Sequence, residues 1–240
     1  MDVCDIAKDY LSEEVLPYVK LSQAVYEDTQ QVDGFTRFAD DNVTNPATSF
    51  IDRFKFAKSE SESFHGSAYI SGNGKIVIAF KGTDNWGDVL TDIRQLKAVP
   101  IQYTQALMFV KRVLAMGGVS PENIVVTGHS LGGGMAQYVA SAFGLKAVTF
   151  NPAPLSAATI KSASELKNGR GVASITNYVA TSKGQEDLVA SSIGAVVGEV
   201  RRIELPEWDV SRNHILGQGI SRHSIDTFVN GISDLILLRP

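Results

Sequence analysis

Ser130 stands between Gly128 and Gly132 in the run Ile124-Val125-Val126-Thr127-Gly128-His129-Ser130-Leu131-Gly132-Gly133. The run reads as a buried strand, a turn around one serine, and a glycine-rich entry into a helix. In a G-x-S-x-G pattern the tight strand-to-helix turn lifts the serine hydroxyl above the end of a sheet, where it can attack an electrophile. Glycine flanks the serine because neighbouring backbone passes so close that a β-carbon would clash. The competing reading is a tight Gly-Ser turn without chemistry. Against it stand the apolar strand before the turn and the helix-like run Met135–Ala140 after it.

A serine hydroxyl needs a histidine to accept its proton, and that histidine needs a carboxylate to fix its tautomer. On this kind of elbow the acid and then the histidine follow the serine in the chain. Of the four histidines, His65 and His129 do not follow Ser130, which leaves His214 and His223. His223, just before a closing helix, is the first candidate; His214, in the loop after Trp208, is the alternative. The candidate acids are Glu186, Asp187, Glu199, Glu204, Glu207 and Asp209. The acid must lie just beyond the carboxyl end of a strand. Asp187, after the strand Ile175–Ala180 and a Ser-Lys-Gly-Gln connection, meets that condition. Glu186 is adjacent to it, and Asp209 is the other rival. The oxyanion needs preorganised donors. One is the Leu131 N–H, directly after the nucleophile. The second must come from a neighbouring loop, and Lys81-Gly82-Thr83-Asp84 is well placed.

These residues require a scaffold of strands and helices. Helical spacing runs from about Glu13 to Tyr26, with Ser12 as N-cap, and the polar stretch Asp33–Ser49 reads as loop. Phe64–Ile70 and Lys75–Phe80 read as strands joined by the turn Ser71-Gly72-Asn73-Gly74. A helix over Ile101–Met116 stops at Gly117-Gly118. Beyond the elbow follow a strand at Lys146–Phe150, a helix at Ser156–Glu165, strands at Ile175–Ala180 and Arg201–Leu205, and a closing helix at His223–Leu238. Apolar runs without alternation belong to strands covered on both faces. The expected fold is therefore α/β, a mostly parallel central sheet with helices on both faces. No linker or repeat divides residues 1–240, so one domain is expected, with a helical and loop extension over about 1–62 before a core over about 63–240.

Composition narrows the function classes. The chain has 240 residues, 44% hydrophobic and 20% charged, which is ordinary for a globular protein able to bury a core. A net charge of -4 without a basic block gives no reason to expect nucleic acid. Cys4 is the single cysteine, so no internal disulfide forms. The histidines are scattered and no metal-ligand spacing stands out, so neither a metal nor another cofactor is expected. The acidic N-terminus does not read as a signal peptide, and no stretch approaches the ~18 apolar residues of a membrane span. The expectation is a cytoplasmic protein in the producing cell, or one exported without a signal peptide.

Ala79-Phe80-Lys81-Gly82-Thr83, then Trp86 and Asp92, then Gly128-His129-Ser130-Leu131-Gly132-Gly133, together resemble the class 3 lipase family, the fungal-lipase-like branch of the α/β-hydrolases. The resemblance covers about residues 64–230. It implies that Thr83 lends its backbone N–H, and its hydroxyl, to the oxyanion hole, that Asp92 orients that hydroxyl, and that the segment between forms a lid. Read on their own, Trp86, Val89, Leu90 and Ile93 make one apolar stripe at i, i+3, i+4 and i+7, suited to covering an acyl groove or docking permanently on the core. Asn177-Tyr178-Val179 and Asp187-Leu188-Val189 resemble the family's acid-bearing strand, with a longer connection; Lys81 stands where arginine is more usual. The implied activity is hydrolysis of glycerolipid esters, as lipase or phospholipase A, with transient contact to a membrane surface. Size, one cysteine and no leader are also similar to antibacterial lipase effectors, which would imply an inhibitor or immunity protein as partner. An acyltransferase on the same triad and a catalytically silent binding module are the alternatives.

Overall fold

Ile76–Phe80, Ile124–His129 and Lys146–Phe150 are buried along almost their whole length and lie side by side in parallel, as unbroken apolar runs should. The computed structural model describes residues 3–27, 29–40, 64–82, 99–167, 169–182, 185–186, 194–204, 225–226 and 228–230. Among these, nine strands form one sheet. They are β1 (Gln31–Val32), β2 (Phe35–Asp40), β3 (Gly66–Ser71), β4 (Ile76–Phe80), β5 (Ile124–His129), β6 (Lys146–Phe150), β7 (Ser174–Ser182), β8 (Gln185–Glu186) and β9 (Glu199–Glu204). The first four pair antiparallel, and β4, β5, β6, β7 and β9 run parallel. The helices are α1 (Val3–Glu27), α2 (Ile101–Leu114), α3 (Leu131–Phe143) and α4 (Ala157–Lys167).

Alternate residues of the central strands feed two cores. Ile76, Ile78 and Phe80 join Phe109, Val110, Met135 and Val139 on the face covered by α2 and α3. Val77 and Ala79 join Val19, Leu21 and Val25 of α1, with Ile225 and Phe228, on the other. A central, mostly parallel sheet flanked by helices is the α/β-hydrolase arrangement. Gly128 pairs with Phe80 on one side and with Thr149 on the other, so the carboxyl ends of β4, β5 and β6 finish level. In open α/β sheets ligands bind outside such a carboxyl edge.

Two sequence expectations are corrected. α1 begins at Val3, so Ser12 lies inside the helix and not at its cap. The chain from Val3 to Leu11 carries no breaker, and Pro17 is accommodated within the helix. The stretch from Asp33 is not all loop, because Phe35–Asp40 forms β2, paired with β1 and β3. Asp33 (φ 46°) and Gly34 (φ 80°) make a two-residue turn with both central residues left-handed, the Asp-Gly hairpin signal. Lys20 holds that turn through an ion pair to Asp33 at 2.8 Å. Residues 41–63 lie outside the described part. The other elements expected between Phe64 and Leu205 are found within a few residues of their expected ends, while the closing helix expected at His223–Leu238 lies mostly outside the described residues. No helix among the described residues is long and apolar enough to cross a membrane.

Candidate active site

The turn from β5 into α3 imposes an unusual backbone on Ser130, with φ 61° and ψ -125°. A non-glycine residue there costs about 1–3 kcal/mol and persists only where its surroundings enforce it. Three backbone hydrogen bonds do so. The Ser130 N–H donates to the Phe150 carbonyl at 3.1 Å, and the Ser130 carbonyl accepts from Gly134 and Ala153, each at 2.9 Å. The flanking glycines have steric reasons. A β-carbon on Gly132 would overlap the Phe80 carbonyl, and one on Gly128 would run into the Gly132 backbone. Ser130 is fully buried, and its Oγ has no hydrogen-bond partner among the described residues. It sits at the N-terminus of α3, whose first N–H groups lack partners within the helix and favour negative charge. Leu131, the expected oxyanion donor, is the first residue of that helix. Below the first turn, burial pushes the Tyr103 hydroxyl pKa up, so this group stays neutral.

The loop leaving β4 meets the serine directly. A β-carbon on Gly82 would come 2.9 Å from the His129 carbonyl oxygen and 3.3 Å from Ser130 Cβ. The Gly82 N–H donates to the Tyr26 hydroxyl at 2.9 Å, and that hydroxyl lies 3.4 Å from His129 Nδ1. Thr83 is the next residue. It lies outside the described part, as do Asp92 and the apolar stripe of Trp86, Val89, Leu90 and Ile93.

On the opposite flank, β7 continues past the end of β6 and turns back as β8, with Thr181 opposite Glu186. Thr181 also pairs with Glu204 of β9. Because β9 occupies one edge of β7, β8 lies on the edge shared with β6, beyond Phe150. The chain at Glu186 is thereby delivered over the carboxyl end of β6, beside the elbow strand. Asp187 follows it but lies outside the described residues, with Asp209, His214 and His223. Glu199 is removed from the acid candidates. It enters β9 opposite Thr176, away from the elbow, and a hydrogen bond from Arg201 holds its carboxylate pKa below the usual range. Two residues after His223, Ile225 and then Phe228 are buried, and the Phe228 ring meets Phe150 edge-on at 5.4 Å. Gln23 of α1 donates to Asp226 at 2.8 Å.

The sequence reading missed the polar groups that bind these pieces together. Asn151 (φ 39°) caps β6; its N–H donates to the Tyr178 carbonyl and its Oδ1 accepts from the Ala180 N–H, both at 2.8 Å. Asn177 accepts from Thr149 Oγ1 at 2.6 Å and donates to the Val197 and Glu199 carbonyls. Gln137 of α3 links the Ala153 carbonyl to the Val197 N–H. Asn151-Pro152 is a turn signal in the sequence, but Tyr26 and Gln137 carry none, since each partner is distant in the chain. Among the described residues no cluster of histidine, cysteine and carboxylate could hold a metal ion.

Comparison with known proteins adds to this geometry. The model of a phospholipase-like family, the Tle-like phospholipase domain, matches residues 18–188. An extracellular phospholipase A1 of Serratia liquefaciens is 28% identical over 178 residues, 68% of this chain and 54% of that protein. The chain thus spans about half the length of this curated relative. Among solved structures, a triacylglycerol lipase from Penicillium expansum aligns with TM-score 0.46 and 16% identity over 83% of this chain and 80% of that one. The esterase EstE5 aligns with TM-score 0.36 and 12% identity over 98% of each chain.

Proposed function

Because the chain belongs to the family of Tle-like phospholipase domains, and so to the phospholipase- and esterase-type hydrolases of the α/β-hydrolase superfamily, we propose that it cleaves the acyl esters of glycerophospholipids through an acyl-enzyme on Ser130. The observation that carries this reading is the buried Ser130 hydroxyl, without a hydrogen-bond partner among the described residues and held at positive φ on the N-terminus of α3. In the proposed reaction Ser130 Oγ attacks the acyl carbonyl while His223 takes its proton. Asp187 orients His223, and the oxyanion rests on the Leu131 N–H and on Thr83, whose hydroxyl Asp92 holds. Collapse expels the glycerol oxygen, which leaves with the proton from His223. Water then attacks the acyl-enzyme, again with His223 as base, and releases a fatty acid. The stripe of Trp86, Val89, Leu90 and Ile93 is assigned to the cover of the acyl groove, where it meets a lipid surface.

The family description and the name of the Serratia relative support phospholipid over triacylglycerol, and the latter name supports the sn-1 ester. The test is a panel of phosphatidylethanolamine, phosphatidylglycerol, triacylglycerol and short-chain nitrophenyl esters, run with wild type and Ser130→Ala. Release of sn-1 fatty acid from the phospholipids, lost in Ser130→Ala, is the expected result. Turnover confined to triacylglycerol would reject the substrate class, and activity retained by Ser130→Ala would reject the mechanism.

A further inference from the structure

We infer that Tyr26, from the last turn of α1, is the positioning residue that sets the oxyanion loop against Ser130, an inference resting on the serine-hydrolase reading above. The second oxyanion donor is assigned to Thr83, one residue after Gly82. Gly82 must be glycine for steric reasons, since a β-carbon would crowd the His129 carbonyl and Ser130 Cβ. The same glycine leaves the loop backbone free to adopt many conformations. A donor hung on it is preorganised only if something else fixes the peptide plane, and preorganisation is what makes such a donor effective.

Tyr26 supplies that fixture. Its hydroxyl accepts the Gly82 N–H at 2.9 Å, and the ring lies 5.4 Å beneath the Lys81 ammonium, so both residues leaving β4 are held from one side chain. Having accepted from Gly82, the hydroxyl retains a proton to donate, and His129 Nδ1 lies 3.4 Å away. His129 immediately precedes the nucleophile and is buried. One phenol therefore joins the loop on β4 to the elbow on β5. The anchor beneath it is firm: Val25 and Ala24 are buried in the α1 core, and Ser22 bonds Thr127 of β5 at 2.9 Å. α1 thus reaches the reaction centre through Tyr26, although no residue of this helix is assigned to touch substrate.

Tyr26→Phe removes that hydroxyl and keeps the ring. Loss of a whole oxyanion donor costs roughly 10²- to 10³-fold in kcat, so a donor left misaligned should cost about 10- to 100-fold. With a nitrophenyl ester, kcat should fall by that factor while KM stays within about twofold. Affinity for an alkylboronic acid, whose tetrahedral adduct presents an oxygen to the same donors, should fall in step. A phenol that only packs α1 would instead lower thermal stability and leave boronate affinity per folded molecule unchanged. Wild-type kcat in Tyr26→Phe, or a lower kcat with undiminished boronate affinity, overturns the inference. Amide hydrogen exchange on the wild type needs no variant: a slowly exchanging Gly82 N–H is expected, and a freely exchanging one overturns the inference even if Tyr26→Phe does not fold. Failure of the parent reading looks different, because wild type and Ser130→Ala would then turn over the ester equally.

Discussion

The two flanks of Ser130 are built in opposite ways. The elbow is local: Gly128 to Gly134 carry its turn, its strain and the N-terminus of α3, with backbone bonds to Phe150 and Ala153 closing it. The rim is assembled from afar. Tyr26 comes from α1, Gly82 from the end of β4, Asn151 from the end of β6, and Glu186 from a hairpin on β7. The elbow glycines Gly128, Gly132, Gly133 and Gly134 leave no room for a β-carbon without displacing a neighbour. The rim is held by side-chain contacts from separate elements, such as those of Tyr26 and Asn151, that substitutions can remove one residue at a time. The account thus expects all-or-none effects in the elbow and graded effects around it.

The largest effects should come from the nucleophile and its base. Ser130→Ala and His223→Ala should each lower kcat by about 10⁴-fold or more, leaving what binding and the oxyanion hole provide. If His214→Ala abolishes turnover while His223→Ala does not, the base is reassigned. Next, Gly132→Ala tests the steric claim: its β-carbon would overlap the Phe80 carbonyl, so loss of both soluble folded protein and activity is expected by circular dichroism and ester assay. A folded, active Gly132→Ala would break the contrast between the flanks. Thr83→Val should cost on the order of 10²- to 10³-fold in kcat with little change in KM if its hydroxyl donates, whereas a near-normal rate would confine Thr83 to its backbone N–H. The smallest effect belongs to Asn151→Ala. It strands the buried Ala180 N–H and should lower unfolding free energy by about 1–3 kcal/mol in urea titration, with a lesser loss of turnover.

The same division explains what could be read from sequence. The elbow, the parallel strands and α2 to α4 follow from short-range signals, namely apolar runs, helical spacing and paired glycines. β2 was hidden because its residues are polar-edged and sit inside a stretch rich in Asp and Asn, although Asp33-Gly34 marked the hairpin. The start of α1 was hidden because Ser12 imitates a cap. Tyr26 was invisible as a site residue, since a tyrosine at the end of an amphipathic helix reads only as packing. Its partner Gly82 is brought to it by the sheet and not by the chain. For the acid, spacing left Asp187, Glu186, Asp209 and others open. Topology narrows the choice by carrying Glu186 over the end of β6 and by placing Glu199 at the far end of β9.

The central claim is that the elbow presents Ser130 as an activated nucleophile. Its most direct measurement is reaction of the folded wild-type protein with a fluorophosphonate, followed by intact mass and peptide mapping. The account predicts one adduct per chain, on Ser130 alone, absent from Ser130→Ala. A folded wild-type protein that takes up no label, or takes it up equally in Ser130→Ala, would contradict it.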